Sequence, residues 1–167
     1  RMFGDKLPPD EPKEEVMKRV VEGFQKMAAH AKAAGVTVII ESHGDFTRSG
    51  DLEAILTRVG SDAFALLWDA HHTFVAGKES PAETWKNLGR YVRHTHLKDS
   101  RPEGTERRYV LTGTGEVPVR DQVRVLAQAG YRGFFEGKEK SLLVSEEGRR
   151  ILLRDWPQVA RAMGLAD

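Results

Sequence analysis

The segment TVIIESHGDF, residues 37–46, decides how the rest of the chain is read. Val38, Ile39 and Ile40 make a short β-branched run, suited to a buried strand. The run stops at Glu41 and His43, two side chains able to bind a metal or a substrate. A strand of this kind delivers them to its carboxyl end, where parallel α/β proteins build their sites.

Working outward, three more segments repeat the pattern: AFALLWD (63–69), YVRHTHLKD (91–99) and YRGFFEG (131–137). Their polar ends are Asp69 with His72 beyond it, His96 with Lys98 and Asp99, and Glu136 to Glu139. Alternation places His94 and His96 on one face of their strand and Arg93 and Thr95 on the other. Residues 1–4 read as the tail of an earlier strand. Between the strands lie helical patterns. From Glu14 to Ala33, apolar residues such as Val16, Val20, Phe24 and Met27 recur at helical spacing, and Gly35 ends the helix. Ser49 reads as the cap of a helix whose inner face is Leu52, Ile55, Leu56 and Val59, closed by Gly60. Ser80, Pro81 and Glu83 announce another, closed by Gly89. Val119 to Ala129 forms a further helix, and a last one begins near Ser145 and is interrupted at Pro157. The histidine-bearing segment after Asp69 and the longer stretch from Ser100 to Glu116 read as loops.

This order predicts an α/β chain with a parallel sheet. An open doubly wound sheet is the competing architecture, and a complete eightfold barrel takes about 250 residues, against 167 here. The composition, 40% hydrophobic and 31% charged, is that of an ordinary globular chain and fits one domain over residues 1–167. A formal charge of +1 gives no overall attraction to nucleic acid or acidic membranes and points to small-molecule partners. No apolar run reaches membrane-spanning length and the N-terminus lacks a signal-peptide pattern, so a cytoplasmic location is expected. With no cysteine present, strong metal ligands are limited to His, Asp and Glu. Carboxylates with an imidazole suit Mn²⁺ first, then Mg²⁺, with Co²⁺ or Zn²⁺ as alternatives.

In order and spacing, VIIESHGDF, LLWDAHH, VRHTHLKD, YVLTGTGEVP and AGYRGFF resemble the sugar isomerase and epimerase family built on the xylose isomerase-like TIM barrel. The resemblance implies a partial (β/α)8 TIM barrel, roughly strands four to eight with their helices. It implies Glu41, Asp69 and His96 as metal ligands, with a glutamate of strand eight as the fourth and as the proton-transfer partner of Glu41. The family position of that glutamate falls on Lys138. Glu136 shares its strand face one repeat deeper, and Glu139 faces the other way unless a bulge intervenes. Glu136 is taken as ligand and catalytic partner. His72, with His43 and Lys98, is expected to contact substrate, although Lys98 could equally pair with Asp99. His71 and Arg107 read as loop residues, and Trp68 as core or pocket wall.

The implied activity is metal-dependent isomerisation or epimerisation of a sugar or sugar phosphate by proton transfer next to a carbonyl. A dehydratase would use the same ligands. A half-barrel acting only as a binding scaffold, its fourth ligand lost to Lys138, is the non-enzymatic alternative. A homo-oligomer, or pairing with a missing N-terminal half-barrel, is expected because an open parallel edge invites pairing. A zinc DNA-repair endonuclease on a related barrel would need more ligand histidines and a basic groove.

Overall fold

The computed structural model describes residues 1–4, 6–110, 112–137 and 154, with the backbone alone for residues 134–137. Lys138, Glu139 and the expected last helix from Ser145 through Pro157 lie outside the described residues. Strands β1 (Met2–Phe3), β2 (Val38–Glu41), β3 (Phe64–Asp69), β4 (Val92–Leu97) and β7 (Phe134–Gly137) form one sheet in the order β1-β2-β3-β4-β7. Every neighbouring pair is parallel. Strands therefore add to one edge in chain order, as around a barrel. A doubly wound sheet would reverse direction at a switch point, and none occurs here.

Helices α1 (Lys13–Ala33), α2 (Ser49–Val59), α4 (Pro81–Leu88) and α5 (Val119–Gln128) pack side by side in that order. Their apolar stripes meet one face of the sheet. Val21 and Phe24 of α1, Leu52 and Ile55 of α2, and Val123 and Leu126 of α5 share a buried cluster with Ile40, Leu66, Trp68 and Leu97. Burial of one such side chain contributes about 1.5–3 kcal/mol, so the helix-facing positions hold the layers together. Trp68 belongs to this core: it is fully buried and its indole N–H donates to Thr73 Oγ1 at 3.2 Å. The alternate strand positions face the other way and carry the polar groups. Among the described residues no helix is long and apolar enough to cross a membrane.

Three local expectations need correction, and the close of α4 at Gly89 holds. Ser49 is the first residue of α2 and not its cap. Arg48 holds the cap position with an extended backbone and makes no side-chain cap bond. The Ser49 hydroxyl accepts from Asn87 Nδ2 at 2.8 Å, and its amide is satisfied by Glu79 Oε1 at 2.9 Å. The segment after Asp69 is a helix, α3 (Ala70–Val75), because the Asp69 side chain accepts from the His71 amide at 3.1 Å and caps it. Residues within 100–116 form a hairpin, β5 (Asp99–Glu103) paired antiparallel with β6 (Glu106–Val110). Gly104 makes its turn possible, with φ at 62° where a side chain would be strained. Gly89 closes α4 without a left-handed turn; a Cβ there would strike the Trp85 ring, so glycine is required by packing.

Candidate metal and substrate site

Three adjacent strands bring Glu41, Asp69 and His96 together at their carboxyl ends. Asp69 lies opposite His96 in the β3–β4 register, and all three residues are 0% exposed. His96 Nδ1 stands 3.4 Å from Glu41 Oε1 and 3.4 Å from Asp69 Oδ2. Those separations exceed the usual 2.7–3.2 Å of an N–H···O bond, so the ring nitrogen faces both carboxylates without a short bond to either. One ligand atom from each residue falls within 4.8 Å of the others. Buried carboxylates require compensating positive charge, and two carboxylates with one imidazole suit a divalent cation of hard or borderline character. The residues present fit a metal.

The electrostatics of the triad are set by its crowding. Burial alone would raise the Asp69 carboxyl, but His96, Lys98 and His72 override it and hold it well below the usual carboxylate range. Burial opposes charge on His96, and the attraction of Asp69 and Glu41 outweighs it, moving the imidazole above its ordinary value.

Cationic and aromatic side chains surround the triad. Lys98 Nζ lies 2.9 Å from Asp69 Oδ2 and 2.8 Å from His72 Nε2. Lys98 therefore pairs with Asp69, not with its neighbour Asp99. Strand alternation sends residue 98 inward and residue 99 outward. The outward Asp99 carboxylate accepts four backbone N–H groups, from Ser100, Gly113, Gly115 and Val117, at 2.8–3.0 Å. Arg1 Nε lies 3.2 Å from Glu41 Oε2. The His43 ring packs edge-on against His72 at 4.6 Å between centroids and at a tilt against Phe3 at 4.7 Å.

Of the residues singled out from sequence, Glu41, Asp69, His96, His72, His43 and Lys98 thus share one site. Glu136 is placed through its backbone alone: β7 sets residue 136 in register with His96.

Sequence reading missed a second group. His71 is 4% exposed, not a solvated loop residue, and its Nε2 meets Ser100 Oγ at 2.8 Å. Arg107 fixes the same serine, with Nε donating to Oγ at 2.8 Å and a terminal nitrogen donating to the carbonyl at 3.0 Å. Tyr109 packs its ring on His71 and on the Lys98 ammonium, 5.2 Å and 5.7 Å away respectively. Burial, with the nearby Lys98 and His72 charges, pushes the His71 imidazole down to about 4. Burial also takes His72 down to about 4, with Asp69 opposing and Lys98 assisting. Tyr109 and Val110, residue types favoured in strands, were the signal that could have identified the hairpin.

Comparison with known proteins agrees with the parallel βα order of the fold. The sequence model described as xylose isomerase-like TIM barrel matches residues 2–139. An inosose dehydratase from Clostridium perfringens is 25% identical over 138 residues, covering 72% of this chain and 46% of that protein. A xylose isomerase-like TIM barrel protein from Mycobacterium smegmatis, solved in complex with magnesium, superposes with a TM-score of 0.66 at 20% identity. That match covers 96% of this chain and 55% of the other. A D-allulose 3-epimerase from Methylomonas sp. gives a TM-score of 0.63 at 18% identity, covering 96% and 51%. The chain spans about half the length of these relatives.

Proposed function

The chain belongs to the xylose isomerase-like TIM barrel family, and from that premise we propose that its site carries out metal-dependent proton transfer beside the carbonyl of a small sugar-like substrate. The observation that carries this reading is the convergence of fully buried Glu41, Asp69 and His96 at the ends of three adjacent strands. These three would hold the ion, with Glu136, in register with His96, as the fourth ligand. When bound, a divalent ion polarises a carbonyl and stabilises the negative charge that develops on proton removal.

The chain's own groups account for the rest. Glu41, fully buried, would serve as one proton-transfer carboxylate and Glu136 as the other. Lys98 and His72, joined at 2.8 Å, present an ammonium and an imidazole to substrate hydroxyls, and the His43 and Phe3 rings form an apolar wall beside them. Isomerisation or epimerisation follows when the proton returns to the substrate. Dehydration follows when a β-hydroxyl leaves instead, and the similarity to inosose dehydratases favours this as the second reading.

The test is to load the chain with Mn²⁺ and follow D-allulose and an inosose in D₂O by NMR. Metal-dependent deuterium uptake at the carbon beside the carbonyl is expected. An epimeric product supports the first reading and loss of water the second. A chain that takes up stoichiometric metal but exchanges neither substrate would leave only a binding scaffold.

A further inference from the structure

Asp69 belongs to two overlapping ligand sets. The first is the Glu41, Asp69 and His96 group. The second consists of Asp69, His71 and His72, whose ligand atoms also lie within 4.8 Å of one another. A carboxylate shared by two such sets is the usual bridge of a two-metal site, and a carboxylate with two imidazoles is a familiar zinc ligand set. An independent observation also points to a ligand at the second set. His71 is 4% exposed, Ser100 engages its Nε2, and its buried Nδ1 has no hydrogen-bond partner among the described residues. That nitrogen remains available for a ligand.

The second position already holds a positive charge. The Lys98 ammonium reaches in from the end of β4 and stands 2.9 Å from Asp69 Oδ2 and 2.8 Å from His72 Nε2, two members of that set. The Tyr109 ring from the hairpin faces it at 5.7 Å, and Lys98 is 9% exposed. Carboxylate, imidazole and aromatic face together cage the ammonium much as ligands cage an ion. We propose that the Lys98 ammonium is a tethered cation filling the second of two overlapping cation positions, so that this chain takes one divalent ion where its ligands could hold two. The proposal rests on the metal reading above and extends it to the number of ions. An ammonium group on those ligand atoms leaves no room there for a second cation. Substituting Lys98 by a neutral side chain of similar length therefore opens the second position without altering any ligand.

Zn²⁺ titration calorimetry on the full chain tests this, with bound metal counted after gel filtration. The unsubstituted chain is expected to take one ion, Lys98→Met two, and Lys98→Met combined with His71→Ala one again. Lys98→Gln carries the same expectation as Lys98→Met and serves if that variant melts below the working temperature. One ion in both the parent and Lys98→Met overturns the proposal and leaves the metal reading intact. Two ions in the parent also overturn it, because the ammonium would then exclude nothing. An ion bound only after substitution overturns it as well, since Lys98 would be blocking the sole site. No ion in either chain removes the metal reading, and the proposal with it.

Discussion

Glu41, Asp69 and His96 stand on parallel strands tied by backbone hydrogen bonds, whereas His71, Ser100, Arg107 and Tyr109 come from a six-residue helix and a hairpin beside the sheet. On the strand side, sheet register sets the positions from which the side chains project. On the hairpin side, side chains fix one another: Arg107 holds Ser100, Ser100 holds His71, and Tyr109 covers Lys98. Lys98 joins the two sides through Asp69 and His72. The placement of the triad thus rests on the sheet, while its surroundings on the hairpin side can change with a few substitutions.

The contrast is most exposed to Asp69→Ala, which removes the residue common to both ligand sets. Metal uptake should vanish, and chemical denaturation of the metal-free chain should show a loss of about 3–5 kcal/mol, because Lys98 is left buried without its counter-charge. Retained stoichiometric metal would show that Asp69 is no ligand. His96→Ala deletes the proposed strand-borne imidazole ligand and leaves the Lys98–Asp69 pair in place. Its metal affinity, read by calorimetry, should fall beyond the ~10–100-fold typical of an outer-shell change.

Asp99→Ala acts on the hairpin side. Releasing four amides from one carboxylate should cost about 1.5–3 kcal/mol in denaturation, with metal affinity within a few-fold of the parent. A collapse of metal binding in this variant would mean that the two sides are not separable. Tyr109→Ala should have the smallest effect, about 0.5–1 kcal/mol of lost ammonium–ring attraction, detectable as a shift in the melting midpoint without loss of metal.

The same division governs what could be read from sequence. Val38 to Glu41, Ala63 to Asp69 and Val92 to His96 are apolar or alternating runs with polar ends, and both the strands and the residues at their ends follow from that pattern. The capping box of Ser80 and Glu83 was equally plain. The hairpin was hidden because ERRYV and DSRPE are mostly charged or polar and are stabilised by cross-strand pairing, not by an apolar face. Helix α3 is a single short element whose start depends on Asp69, a residue that could be weighed as ligand or cap but is seen as a cap only in three dimensions. The partner of Lys98 follows from carrying the alternation of β4 one residue past its end at Leu97, and adjacency in sequence pointed instead to Asp99.

The four amides gathered by Asp99 have a consequence for ligand traffic. One stem of the hairpin leaves β4 directly at residue 99, and the other is pinned to that same residue through Gly113, Gly115 and Val117, while the Glu116 amide donates to the Ser100 carbonyl at 2.9 Å. The hairpin is thus fixed at both stems beside the site. For any ligand of the proposed site, swinging the hairpin aside would first require these stem hydrogen bonds to break.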